Sequence, residues 1–90
     1  MIVLLDNVTA VTPNNMQAVT SPRSIPSFAV VIEGGTATVP LYQGNGENDP
    51  ILVGTAVETG VYTGSGLLDW VGAEVTEISG ATVRVTVAGI

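Results

Sequence analysis

The chain of 90 residues lacks cysteine, histidine and lysine. Without cysteine it forms neither a disulfide framework nor a thiolate metal site. Acid and base catalysis at neutral pH usually depends on histidine or a carboxylate pair, and nucleophilic catalysis depends on serine, cysteine or lysine beside an activating base. Because most of these groups are missing, we expect a protein that is not an enzyme and that carries no cofactor.

Positive charge is almost as scarce, since Arg23 and Arg84 are the only cations against eight acidic residues. The net charge of −6 removes any general attraction to nucleic-acid phosphates or anionic lipid. Apolar runs are short: Ile2 to Leu5 falls far below the roughly 18 residues that a membrane-spanning helix requires. We therefore expect partners that are neither nucleic acid nor membrane.

Strand-forming residues are abundant. Hydrophobic residues make up 46% of the chain, the mean hydropathy is +0.50, and valine and threonine recur throughout. Helix formers are sparse and never repeat at the spacing of a helix face. About seven short strands separated by turn-forming residues predict an all-β fold: a small antiparallel β-sandwich, immunoglobulin-like or jelly-roll-like, with a closed barrel as the alternative.

Two segments of similar sequence, EGGTATVPLYQ and SGATVRVTVAG, place a glycine-containing turn before a run of alternating apolar and polar residues. Gly34-Gly35 can adopt the positive φ angles of a tight turn, which predicts a hairpin between strands 27–33 and 36–43. Ser79-Gly80 predicts a second turn, into strand 82–88. We therefore interpret the two segments as the return strands of two hairpins.

A later strand has one predicted core face, formed by Val71, Ala73 and Val75. Trp70 then lies on the opposite face of this strand. Ile78 is out of step by one residue, which predicts a β-bulge near Thr76-Glu77 that returns it to the core face.

The chain is short enough for one modest core only. We divide it into an N-terminal strand or arm, residues 1–15, and a single β-sandwich domain, residues 16–90. Four aromatic residues make a thin core, so we expect neighbouring subunits of a homotrimer or homodimer to cover edges or faces of the sheets. The apolar N-terminal segment is the candidate for an exchanged or docking strand.

Candidate interface residues follow from this expectation. Trp70 either packs against a second layer or anchors an interface, where tryptophan is enriched. Exposed tyrosines can stack on sugar rings, which keeps a carbohydrate-binding module open, and Arg23 can pair with a carboxylate of a neighbouring subunit. The candidate residues are Ile2, Val3, Leu4, Leu5, Arg23, Tyr42, Tyr62 and Trp70.

Two acidic features admit a second interpretation. Glu74 and Glu77 could form a catalytic carboxylate pair, but we interpret them as solvated acids on a strand face. The loop GNGENDP at 44–50 offers Glu47 and Asp49 as oxygen ligands for calcium. Because it lacks the ligand spacing of an EF-hand, we interpret it as an acidic turn without a metal.

The order of segments from Val30 to Gly89 resembles a known family. GGTATVPLYQGNGEND, DWVGAEVTEISG and ATVRVTVAG follow one another as in small all-β virion structural proteins of tailed bacteriophages, over about two thirds of the chain. Two positions depart from the family pattern. Pro40 interrupts the first return strand, and Gly72 stands where the pattern has arginine.

The resemblance implies a structural role and brings no catalytic residues with it. It implies a capsid decoration or cement protein on the virion surface, which stabilises the head by binding across subunits of the major capsid protein. A tail- or fibre-associated β module, or a carbohydrate-binding one, is the alternative.

Overall fold

A computed structural model describes residues 2–19, 25–66 and 68–88, so Arg23 lies outside the described residues. These residues form strands β1 (Ile2–Val8), β2 (Gln17–Ala18), β3 (Ser27–Glu33), β4 (Thr36–Gly44), β5 (Ile51–Ala56), β6 (Gly60–Thr63), β7 (Trp70–Ala73), β8 (Glu77–Ser79) and β9 (Thr82–Ala88). The described residues contain no helix, and hence no long apolar helix of the kind that crosses a membrane. The predicted all-β fold is confirmed.

The strands form two antiparallel sheets in a sandwich-like arrangement. The first sheet has the order β1-β9-β3-β6, and the second has the order β2-β7-β4-β5. Strand β8 pairs with β4 in line with β7. The predicted sandwich is therefore confirmed, and the described residues contain nine strands where the sequence predicts about seven.

The core lies between the sheets and follows from the period of two along each strand. In β9, for example, buried valines alternate with exposed or half-buried residues. The core cluster is Leu5, Val19, Phe28, Val30, Ala37, Val39, Leu41, Ala56, Val71, Ala73, Val75, Ala81, Val83, Val85 and Val87. Phe28 is the only aromatic residue of this cluster, so the core is thin and consists mainly of small and β-branched side chains.

The two glycine turns are corners between the sheets and not hairpins. β3 pairs with β6 and β9 in the first sheet, whereas β4 pairs with β5, β7 and β8 in the second. Glu33 lies opposite Thr82, and Thr36 lies opposite Ser79 in the same register. The pair formed by β3 and β9 in the first sheet therefore continues as the pair formed by β4 and β8 in the second. The hairpin predictions are wrong because alternation identifies a strand and not its partner.

Two segments of the chain approach each other closely at this corner, and this close approach explains the glycines there. A Cβ atom on Gly35 would collide with the carbonyl oxygen of Ser79 and lie 2.7 Å from the carbonyl carbon of Gly80. Gly34 and Gly80 have φ angles of 85° and 66°, which favour glycine. The two similar sequence segments thus meet at one corner, where each supplies a glycine turn.

The predicted bulge before Ile78 is confirmed. Thr38 lies opposite Glu77 and Leu41 lies opposite Ala73. Residues 73–77 therefore contain one more residue than residues 38–41, with which they pair. The extra residue returns Ile78 to the core face, where it is half-buried against the core cluster.

Strand β1 is an edge strand of the first sheet. Three pairs join its core-facing residues to β9: Ile2 with Val87, Leu5 with Val85, and Val8 with Val83. This spacing of three is compatible with a strand because two register shifts each add one residue to β1. The second shift contains Asn7, whose φ is 54°. The apolar N-terminal segment therefore pairs with β9 of its own chain.

Candidate interaction surface

The four candidate residues of β1 differ in their surroundings. Ile2 and Leu4 pack against the core cluster, and Leu5 belongs to it with an exposed fraction of 5%. Val3 lies opposite Thr86 on the outer face of the first sheet, with an exposed fraction of 39%. Among these four residues, Val3 is the one most available to a partner.

Tyr62 is turned toward the core. It lies opposite Phe28 in the pairing of β3 with β6, and it packs against the core cluster. Its hydroxyl donates a hydrogen bond to the backbone carbonyl of Glu58 at 3.0 Å. This packing within its own chain leaves Tyr62 poorly placed to stack on a ligand.

Tyr42 and Trp70 lie together on the outer face of the second sheet. Tyr42 of β4 is opposite Gly72, and Trp70 of β7 is opposite Gly44, so the two rings occupy neighbouring positions on adjacent strands. Both residues are half-buried. The expectation that Trp70 faces away from Val71 is confirmed, since Val71 is fully buried in the core.

A hydrogen bond across the sheet orients Tyr42. Its hydroxyl donates to the Oε1 atom of Glu74. This hydrogen bond, then burial, then the negative charge of Glu74 raise the pKa of Tyr42 to about 12. The phenol therefore stays protonated at physiological pH, and its ring is held against the outer face of the second sheet.

Glycines on this outer face make room for backbone and side chains that cross it. A Cβ atom on Gly72 would collide with Asn14 and lie 2.5 Å from the Sδ atom of Met16. A Cβ atom on Gly44 would collide with the carbonyl oxygen of Asp49. Glycine at position 72 thus has a physical reason, because no side chain fits there beneath the segment before β2.

Exposed apolar side chains lie in and beside the edge strand β5, which pairs with the strand of Tyr42. Ile51, Leu52 and Val57 have exposed fractions of 52%, 57% and 62%. Leu52 lies opposite Tyr42, so exposed apolar surface continues from the sheet edge onto the outer face. Ile51 lies opposite the inward-facing Gln43, so it is exposed on the other side of this edge, and Val57 directly follows β5. We use the term β5 surface for Tyr42, Ile51, Leu52 and Val57, the apolar and aromatic residues in and beside this edge. The sequence pattern missed the exposed residues of β5, because the position of a strand at a sheet edge depends on strand pairing that the sequence does not show.

Acidic residues surround the β5 surface. Asp49 precedes β5 and Glu58 follows it, and both are exposed. Glu74 adjoins Tyr42, as described above. Arg84, the cation among the described residues, lies opposite Val31 and points away from the core of the first sheet. Three of the eight acidic residues therefore lie beside the β5 surface, whereas Asp6 and Glu33 lie on strands of the first sheet, which also contains Arg84.

The acidic features of the sequence are placed as follows. Glu74 accepts the hydrogen bond from Tyr42, and Glu77 is exposed on β8 opposite Thr38. Glu47 and Asp49 are exposed in the turn before β5. Within residues 2–19, 25–66 and 68–88, no group of three or more acidic side chains has the arrangement of a metal site.

Gln43 is a buried polar residue that sequence reasoning missed. Its exposed fraction is 0%, and it continues the inward-facing positions of β4. Its Nε2 atom donates to the carbonyl of Gly66 at 3.2 Å, and its Oε1 atom accepts from the backbone nitrogen of Ser65 at 2.5 Å. The side chain therefore ties the loop after β6 to β4. The alternation of Ala37, Val39 and Leu41 would have identified this position.

Comparison with protein-family models, with curated proteins and with solved structures found no match.

Proposed function

We propose that this protein is a non-enzymatic structural protein of a phage virion, a capsid decoration or cement protein that stabilises the head by binding across subunits of the major capsid protein. Two lines of support are independent of each other. One is the resemblance of residues 30–89 to small all-β virion proteins. The other is the β5 surface, which is the single observation that carries the proposal, because three large apolar side chains are more than half exposed in and beside one sheet edge, and an open edge is a place where another chain can pair.

The sandwich suits a protein that bridges two neighbours in a shell. Its paired strands cross from one sheet to the other without a break in register, and glycine contacts lock the corner. Apolar burial contributes about 25 cal/mol per Å² before the entropic cost of association, and repeated sites on a particle add avidity.

Co-sedimentation tests the proposal directly. Purified protein is mixed with phage heads that lack it, and the heads are pelleted and then heated in parallel with undecorated heads. We expect saturable binding at a constant ratio to the major capsid protein and a higher temperature of DNA release. Binding to tails alone, or to neither particle part, would contradict the proposal.

Self-association is a separate part of the proposal, in which the protein acts as a homotrimer or homodimer. Light scattering after size exclusion gives the mass in solution, before any particle is added. A trimer or dimer fits binding around a symmetry axis of the shell. A monomer at all concentrations would remove this part and leave a monomeric cement protein.

Carbohydrate binding is a second candidate, and one observation favours it. Tyr42 and Trp70 lie on the same outer face, beside the Glu74 carboxylate. Trp70 is the only tryptophan, so its fluorescence reports directly on this face. Titration with host-surface polysaccharide should shift the emission if sugars stack there. An unchanged emission spectrum, together with an empty glycan array, would remove this candidate.

A further inference from the structure

Strand β5 is the least protected sheet edge among the described residues. β2 has two residues and β6 has four, whereas β1 has seven residues with two register shifts and Asp6. β5 has six residues, none of them charged, and pairs only with β4 on its inner side. Natural edges are usually shortened, bulged or charged, so a longer uncharged edge indicates a place where another strand pairs.

A β-bulge interrupts this edge but leaves it open to pairing. Leu41 lies opposite Gly54 and Tyr42 lies opposite Leu52, so Val53 is the extra residue of β5. Val53 packs against the core cluster, and Leu52 stays exposed beside the edge. An added strand would therefore cover Leu52 with its side chains while its backbone pairs with β5.

A second copy of β5 fits this edge poorly. In the antiparallel register that pairs β5 over its whole length, Ile51 lies opposite Ala56 of the other copy. Asp49 then lies opposite Glu58 at both ends of the pair. Like charges directly opposite are destabilising, and each chain already carries a net charge of −6.

We propose that the β5 edge binds an extended strand of a different protein, apolar or uncharged in its middle and basic at both ends. The basic residues lie opposite Asp49 and Glu58, which places about eight residues between them. Backbone hydrogen bonds to β5 supply affinity, and the β5 surface receives alternate side chains of the added strand. The inference rests on the proposed function only for the identity of the protein that supplies this strand.

Peptide binding tests the edge without any phage particle. The probe is an acetylated and amidated peptide of about ten residues, with alternating threonine and valine between terminal lysines. Its control has glutamate at both ends. The full chain labelled with ¹⁵N is titrated with each peptide. We expect the lysine peptide to shift the backbone amides of residues 51–56 and to bind at least about tenfold more tightly than the glutamate peptide, with a smaller difference at high salt.

Two variants with the same added charge locate the site. Leu52→Lys places a cation on the β5 surface, and Val61→Lys places one at the exposed edge strand β6 of the other sheet. We expect Leu52→Lys to weaken binding of the lysine peptide at least about tenfold, and Val61→Lys to change it less than about twofold. Val57→Lys replaces Leu52→Lys if the latter alters the circular dichroism spectrum.

Several results would overturn the inference. These are no binding of the lysine peptide, shifts centred on β6 or β1, or equal losses in both variants. A dimer that dissociates in Leu52→Lys alone would assign the edge to a second copy instead. Particle binding separates this inference from the proposed function. If heads bind Leu52→Lys as well as the wild type, the proposed function stands but does not use the β5 edge. If the protein binds the lysine peptide but not the heads, the inference stands and the proposed function is contradicted.

Discussion

Replacing Gly35 with alanine should destabilise the protein strongly, although the substitution adds one methyl group on the surface. The new Cβ atom would collide with the Ser79 carbonyl oxygen and lie 2.7 Å from the carbonyl carbon of Gly80 and 2.9 Å from the nitrogen of Ala81. All three are backbone atoms of the paired segment of the same chain, so the collision can be relieved only by separating the two strands at the corner. Overpacking of this kind costs roughly 1–3 kcal/mol, and backbone contacts place the expected loss at about 2–3 kcal/mol.

Gly54→Ala is the matched control for this prediction. A Cβ atom on Gly54 meets no heavy atom within 4 Å, and its φ is outside the left-handed region. Alanine there should leave the protein unchanged or stabilise it by about 0.4–1 kcal/mol, because the unfolded chain loses conformational freedom. The same chemical change should thus have opposite effects at positions 35 and 54.

Urea unfolding followed by Trp70 fluorescence measures both variants. With a slope of about 1 kcal/mol per M for a chain of this size, Gly35→Ala should lower the midpoint by about 2–3 M. Circular dichroism in parallel tests whether unfolding is two-state. If the two variants differ by less than about 0.5 kcal/mol in unfolding free energy, the segments around Gly35 and Ser79 do not meet at the corner as described.

Three further predictions test other contacts. Tyr42→Phe should cost about 1 kcal/mol through loss of the hydrogen bond to Glu74. The pKa of Tyr42 is raised in the folded protein, so its neutral form favours folding, and the wild type should lose the stability that this hydrogen bond supplies as pH rises from about 10 to about 12. Tyr42→Phe should show no such loss. Urea midpoints of both proteins across this pH range measure the difference, and an equal pH dependence in the two proteins would contradict the prediction. Gln43→Ala should cost about 2–3 kcal/mol because two loop hydrogen bonds are lost, and faster amide exchange at Ser65 should accompany it. Leu5→Ala should cost about 2–4 kcal/mol and Val3→Ala less than about 0.5 kcal/mol in the same unfolding assay; equal effects would place β1 outside the sheet.

The place of β1 also changes how the N-terminal segment is tested. Removal of residues 1–12 would delete a whole edge strand and uncover the valines of β9 that pair with it. Loss of particle binding in such a truncation would reflect loss of structure as readily as loss of a contact. Val3→Lys, on the outer face, changes the exposed surface of β1 while keeping its core residues.

Much of the local structure could be predicted from residue patterns. The alternation of Val83, Val85 and Val87 identified the core face of β9, and the phase error at Ile78 located a bulge. The candidate surface was only partly predictable. Trp70 was placed on the outer face correctly, but the packing of Tyr62 against the core and the exposure of Leu52 depend on neighbours that are distant in sequence.

The sequence by itself determined that the chain forms short strands, which side of most strands faces the core, and which kinds of chemistry its composition disfavours. These properties are local, because side-chain direction along a strand alternates whatever the strand pairs with. Only the tertiary structure decided that the glycine turns are corners and that β5 is an open edge. Both depend on which strand lies beside which, and that choice is made by contacts between residues far apart in the chain, such as Gly35 against Ser79.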